Sequence, residues 1–96
     1  MIQKTVLKTK NFVKVKFSFQ GENAETVKIF GLNGDWDNAV EMSRKKDGTF
    51  SAEVQLPKNT EQEFKYFVND SEWVNDPEAD GERMNDFGSN NSVLIL

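Results

Sequence analysis

The chain has 96 residues, a formal net charge of −4 and neither cysteine nor histidine. A chain of this size holds one domain with one core, and we predict that residues 1–96 form a single domain. The missing residue types exclude disulfides, thiol nucleophiles, the usual zinc ligands and the commonest general base. Lysines are interspersed with acidic residues and no apolar run could span a bilayer, so we expect a cytoplasmic protein with no nucleic-acid or membrane partner.

Residues 11–20 alternate apolar and polar side chains with the period of two that is typical of a half-buried β-strand. The apolar set, which we expect to face the core, is Val13, Val15, Phe17 and Phe19. Residues 26–32 form the next β-rich run, and the turn-forming sequence Asn33-Gly34-Asp35 leads from it into a loop that carries Trp36. Residues 49–56 alternate again and stop at Pro57.

Residues 63–69 predict a further strand with two different faces. One face carries Phe64, Tyr66 and Val68, and the other carries Lys65 and Phe67. A turn and a short strand over 72–74 complete a hairpin, residues 75–91 are a polar segment, and the apolar residues 92–96 form a last strand. These short strands, separated by turn signals, predict an all-β antiparallel sandwich.

Four short motifs follow one another along the chain: GLNGDWD at 31–37, KYFVND at 65–70, EWVNDP at 72–77 and FGSNN at 87–91. In this order and spacing they resemble carbohydrate-binding module family 48. That family includes the glycogen-binding domain of the AMP-activated kinase β subunit and the N-terminal early-set domains of isoamylases and glucan branching enzymes. The resemblance covers residues 13–96 and implies an immunoglobulin-like, early-set β-sandwich of about seven strands.

The resemblance also implies a function and a site. In the glycogen-binding members two tryptophans, a lysine and residues of a late loop contact the sugar. The matching residues of this chain are Trp36, Lys65, Trp73, Phe87, Ser89 and Asn91. We therefore expect non-catalytic binding of α-glucan (glycogen, starch or maltooligosaccharide) with no cofactor and no metal. Stacking on the tryptophans would supply contact area, and the lysine and loop residues would supply hydrogen bonds.

Each of these residues also has a purely structural interpretation. Trp36 is either an exposed stacking platform or a plug at one end of the sandwich, whereas the polar neighbours of Trp73 favour its exposure. Lys65 faces the surface, where a lysine usually serves solubility alone. Phe87 is either a loop anchor or an exposed contact, and Asn91 is either a contact or a turn residue.

The acidic residues of the chain raise the question of a glycosidase or a calcium-binding protein. Carboxylates are plentiful, but we expect them in solvated loops, which suits neither a glycosidase pair nor a calcium loop. They are Asp35, Asp37, Asp70, Asp76, Asp80, Glu82 and Asp86.

The alternative to glucan binding is a protein-interaction or accessory domain for a glucan-active enzyme, with sugar binding lost and an exposed patch of Phe67 and Phe87. A structural fragment of a longer enzyme is disfavoured, because the chain starts with a methionine and ends just past its last strand.

Overall fold

The computed structural model describes residues 2–8, 10–21 and 23–96. Met1, Thr9 and Glu22, which fall within the predicted domain of residues 1–96, lie outside the described residues. The described ranges contain ten β-strands and a short 3-10 turn at Leu32–Gly34. The strands are β1 Ile2–Val6, β2 Phe12–Gln20, β3 Val27–Phe30, β4 Val40–Glu41, β5 Ser43–Arg44, β6 Thr49–Pro57, β7 Glu61–Val68, β8 Glu72–Val74, β9 Gly81–Met84 and β10 Asn90–Ile95.

The strands form two antiparallel sheets. The first sheet has the order β1-β2-β6-β5, and the second has the order β4-β3-β7-β10-β9. β8 joins the second sheet by pairing with β7, with Trp73 opposite Phe67. Strand β7 is central because its first half pairs with β10, while its second half pairs with β3 and β8.

The two sheets bury their apolar faces against each other, as the alternation of the strands predicts. Phe17 of the first sheet meets Phe64 of the second edge to face, with ring centroids 5.3 Å apart. Val13, Val15 and Phe17 are buried on β2, and Phe19 packs beside Tyr66. On β7 the predicted faces are confirmed: Phe64, Tyr66 and Val68 are in the core, and Lys65 and Phe67 lie on the outer face of the sheet.

The prediction of an all-β antiparallel sandwich is confirmed, but the structure has more strands than the sequence indicates. Strands β1 and β9 were not predicted, and β4 and β5 are two-residue strands between predicted elements. β1 and β9 are edge strands that each pair on one side only, so their exposed residues carry no apolar alternation. Within the described ranges, no helix has the length and apolar character needed to cross a membrane.

Candidate functional site

A groove of about 700 Å³ lies on the outer face of the second sheet. All six residues that the family resemblance matches to sugar contacts contribute to its lining: Trp36, Lys65, Trp73, Phe87, Ser89 and Asn91. Sequence reasoning missed the rest of the lining, which is mainly polar: Glu63, Arg83, Met84, Asn85 and Asp86. Residues from the loop after β3, from β7, β8, β9 and β10, and from the segment between β9 and β10 therefore meet in one place.

Trp36 borders the groove and packs against the backbone beneath it. Gly31 has a φ of 102°, a conformation that favours glycine, and a Cβ at that position would lie 2.6 Å from Trp36 Cζ2 and 2.6 Å from the Glu63 carbonyl oxygen. The indole thus fits directly over a glycine and keeps 40% of its surface exposed. Trp36 is therefore packed at one edge and open at another, between the two alternatives that its sequence context left open.

The turn that carries Trp36 is closed by Asp35. Its carboxylate accepts hydrogen bonds of 3.0 Å from the backbone N–H groups of Asp37 and Asn38. The bonds from Asn38 and Asp37 hold the pKa of Asp35 below its ordinary value, because they favour the ionised carboxylate. This carboxylate therefore stabilises the local turn next to Trp36.

Trp73 lies on an aromatic cluster on the outer face of the sheet. Its ring centroid is 4.4 Å from that of Phe67, its cross-strand partner, and 5.3 Å from that of Phe30. The indole still exposes 48% of its surface, as its polar neighbours predict. The predicted exposed patch of Phe67 and Phe87 is wrong in one half, because Phe67 is half-buried beneath Trp73.

Lys65 is on the predicted outer face, yet only 8% of it is exposed. Its ammonium donates a hydrogen bond of 3.0 Å to the Ser89 hydroxyl, so the loop before β10 covers a lysine that the strand pattern would leave in solvent. A lysine that serves solubility alone would be exposed, whereas Lys65 is buried and donates to a neutral hydroxyl. The ammonium forms a charged point at the floor of the groove.

The loop between β9 and β10 is organised by Asn85. The amide oxygen of Asn85 accepts hydrogen bonds from the backbone N–H groups of Phe87, at 2.9 Å, and Ser89, at 3.2 Å. Its amide nitrogen donates to the Ser89 hydroxyl at 3.0 Å and to Asn91 Oδ1 at 2.9 Å. Phe87 lies in this turn with 94% of its surface exposed, so it is not a core anchor.

Asn91 is not a turn residue. It lies in β10, is buried, and donates from Nδ2 to Glu63 Oε1 at 3.2 Å. The other oxygen of Glu63 accepts a bond of 3.2 Å from Arg83 Nη1, and Arg83 Nη2 donates to Glu61 at 2.9 Å. Hydrogen bonds to Glu61 and Glu63 raise the pKa of Arg83 further above its ordinary value. A continuous row of fixed polar groups therefore crosses the groove floor.

The expectation that the carboxylates are solvated is wrong for Asp76. This residue is buried and accepts a hydrogen bond of 2.6 Å from the Tyr66 hydroxyl, because the chain after β8 folds back over the edge of the core. The pair borders a second groove, of about 500 Å³, which none of the predicted site residues lines. Among the described residues, no group of three or more histidine, cysteine, aspartate or glutamate side chains is placed to hold a metal ion.

A β-sandwich with an open groove of exposed indoles and fixed polar side chains is a small binding module in architecture. The chain matches the family model for the glycogen recognition site of AMP-activated protein kinase over residues 13–96, and it belongs to that family. The family resemblance read from the four sequence motifs is thus confirmed.

The fold also occurs as part of larger proteins. A crystal structure of a "Putative alpha Amylase from Salmonella typhimurium" is similar to 96% of this chain with a TM-score of 0.64 and 20% sequence identity. The similar region is 14% of that protein, so the likeness concerns the sandwich alone. No curated protein matches the chain in sequence.

Proposed function

We propose that this protein binds α-glucan chains through the groove on its second sheet and does not cleave them. One observation carries the proposal: the residues that the family resemblance assigns to sugar contact all line one groove, and both indoles there are exposed. Family membership supports glycogen or a related glucan as the ligand class.

The chemistry of the groove suits a sugar. The C–H faces of a glucose ring stack on the negative faces of aromatic rings, and Trp36 and Trp73 present such faces. Lys65, Ser89 and Asn91 offer donors and acceptors for the hydroxyl groups at the ring edge. Each hydrogen bond exchanges with one to water and contributes only about 0.5–1.5 kcal/mol, so we expect a Kd between micromolar and millimolar, about −4 to −8 kcal/mol.

The surroundings of the carboxylates support binding without cleavage. A glycosidase needs one carboxyl group whose pKa is raised in an apolar pocket and a second that is placed across the scissile bond. The carboxylates that line the groove are Glu63 and Asp86. Glu63 accepts hydrogen bonds from Arg83 and Asn91, and Asp86 is exposed to solvent, so neither carboxylate lies in an apolar pocket.

A second candidate function is an accessory domain that docks on a glucan-metabolising enzyme. The strong exposure of Phe87 and Met84 favours it, because large apolar side chains in solvent often mark a protein contact. In this second candidate function, the groove no longer binds glucan. The cytoplasmic location remains part of the proposal and rests on the sequence.

The test is a titration of intrinsic tryptophan fluorescence with β-cyclodextrin and maltoheptaose. A cello-oligosaccharide serves as the ligand control, and Trp73→Ala serves as the binding-dead variant, with Trp73→Phe to separate loss of the indole from loss of aromatic packing on Phe67. We expect a saturable change with the α-linked ligands alone, abolished in Trp73→Ala. No response up to millimolar ligand from folded protein would reject glucan binding in favour of the accessory domain.

A further inference from the structure

We propose that Glu63 and Arg83 form an additional glucose subsite, which extends the groove to the edge strand β9. This inference rests on the proposed glucan binding and adds to it a part of the site that the family resemblance does not assign. It explains why the groove continues past the tryptophans, Lys65 and the late loop to an exposed arginine.

The groove extends across several strands of the second sheet. Trp36 follows β3, and Arg83 lies on β9, with β7 and β10 between them in the sheet. Neighbouring strands are about 4.8 Å apart, so β3 and β9 are separated by about 14 Å. A platform of this width is wider than one sugar ring, and a chain that lies across it reaches β9.

Neighbouring side chains hold Glu63 and Arg83 in place. Arg83 is opposite Asn91 in the pairing of β9 with β10, and its guanidinium is held by Glu61 and Glu63 on β7. Asn91 in turn fixes the other oxygen of Glu63. Polar groups that neighbours already hold in place lose little conformational freedom on binding, which favours affinity.

Arg83 and Glu63 can each form further hydrogen bonds. An arginine guanidinium has more N–H groups than the two that reach Glu61 and Glu63, and a carboxylate oxygen accepts more than one hydrogen bond. About half of the Arg83 side chain is exposed, since its accessible fraction is 48%. Planar donors and a carboxylate next to the exposed apolar surface of Met84 match the hydroxyl edge and the C–H face of a glucose unit.

The subsite is tested by the dependence of affinity on ligand length. Calorimetric titrations with maltotriose, maltopentaose and maltoheptaose are compared for the full chain, Arg83→Ala and Arg83→Lys. The matched control is Arg44→Ala, which also removes one exposed arginine but lies on β5 of the first sheet, outside the groove lining. Arg83→Lys keeps the charge and removes the planar fork.

We expect the Kd of the unchanged protein to fall from maltotriose to maltoheptaose. Arg83→Ala and Arg83→Lys should leave maltotriose binding within about twofold and weaken maltoheptaose binding by about three- to tenfold, as the loss of one or two hydrogen bonds implies. Arg44→Ala should retain the length dependence.

Several results would overturn the subsite. If Arg83→Ala affects no ligand, or affects all three ligands equally, Arg83 contacts no added unit. Loss of the length dependence in Arg44→Ala as well would assign the effect to general charge. These results would leave the proposed function intact as long as Trp73→Ala abolishes binding. If the unchanged protein binds none of the three ligands, the proposed function fails and the subsite fails with it.

Discussion

The ammonium of Lys65 and the hydroxyl of Ser89 are 3.0 Å apart, which ties the middle of β7 to the loop before β10. We expect Lys65→Met to weaken α-glucan binding about tenfold or more, because hydrogen bonds from a charged donor contribute more than neutral ones. Ser89→Ala should weaken it by about two- to tenfold. The measurement is the fluorescence titration with maltoheptaose.

Stability separates a binding role of Lys65 from a structural one. Methionine keeps the apolar length of the side chain, and the exposed Ser89 can bond to water once the ammonium is removed, so the Tm of Lys65→Met should change little. Lys28→Met is the control, since Lys28 pairs with Asp70 and does not line the groove. Unchanged affinity in Lys65→Met would show that Lys65 makes no contact with the ligand.

Asn85 is expected to position the loop that carries Phe87. Asn85→Ala removes the acceptor for the Phe87 and Ser89 N–H groups, so hydrogen exchange at these amides should speed up and glucan affinity should fall about tenfold. Asn85→Asp keeps the acceptor and should keep the amide protection. Asn90→Ala, next to Asn91 but outside the groove lining, should change neither quantity. Normal affinity in Asn85→Ala despite an unprotected loop would contradict the positioning role.

Trp36 packs so closely on Gly31 that a side chain at position 31 would not fit between them. Gly31→Ala should reduce the free energy of unfolding by about 2 to 5 kcal/mol, from the positive φ and from the clash of the new Cβ with Trp36 and the Glu63 carbonyl. Gly48→Ala is the matched control. Its φ is 87°, but nothing lies within 4 Å of the new Cβ, so it should lose about 1–2 kcal/mol. Chemical denaturation measures both, and equal losses would argue against close packing at Gly31.

Tyr66 predicts a limit to stability at alkaline pH. Burial, with the hydrogen bond to Asp76, raises the pKa of Tyr66 far above its ordinary value. The folded state therefore resists ionisation: the contribution of Tyr66 to stability is complete below about pH 10, the ordinary pKa of tyrosine, and is lost as the pH rises beyond it.

The chain has one tyrosine, so the ultraviolet absorbance of tyrosinate reports this residue alone. The absorbance should stay flat through pH 10 while the protein is folded and then rise together with unfolding. Tyr66→Phe should remove the signal and show which part of the alkaline transition depends on the hydroxyl. A gradual titration near pH 10 in folded protein would contradict the buried pair.

The parts of the fold that sequence patterns predict are those in which one face of a strand is buried. β2 and β6 run between two partners and alternate clearly, and the apolar residues on their inner faces are buried in the core or packed against it. β1 has one partner, and of its core-side residues Lys4 pairs with Asp80 and Val6 is exposed. A strand with such a composition gives no period-two signal, although its backbone pairs as regularly as that of β2.

The candidate site divides in the same way. Its aromatic residues are conspicuous in the motifs, and the structure gathers them in one groove. Arg83 has no local signal, because its carboxylate partners Glu61 and Glu63 lie on a strand that is distant in sequence. Asn85 was detectable in part, since an asparagine before Asp-Phe-Gly is typical of a turn. Its bond to Asn91 depends on the turn geometry and could not be predicted from the sequence.

The most direct measurement of glucan binding in this groove is a ¹H–¹⁵N correlation spectrum of the full chain titrated with maltoheptaose. We expect saturable shifts of both indole N–H signals, of the Asn91 side-chain amide and of the backbone amides of Phe87 and Ser89. Residues that line the second groove, such as Gln20 and Thr49, should not shift. Shifts confined to the second groove, or none at millimolar ligand, would contradict the assignment of this groove as the glucan site.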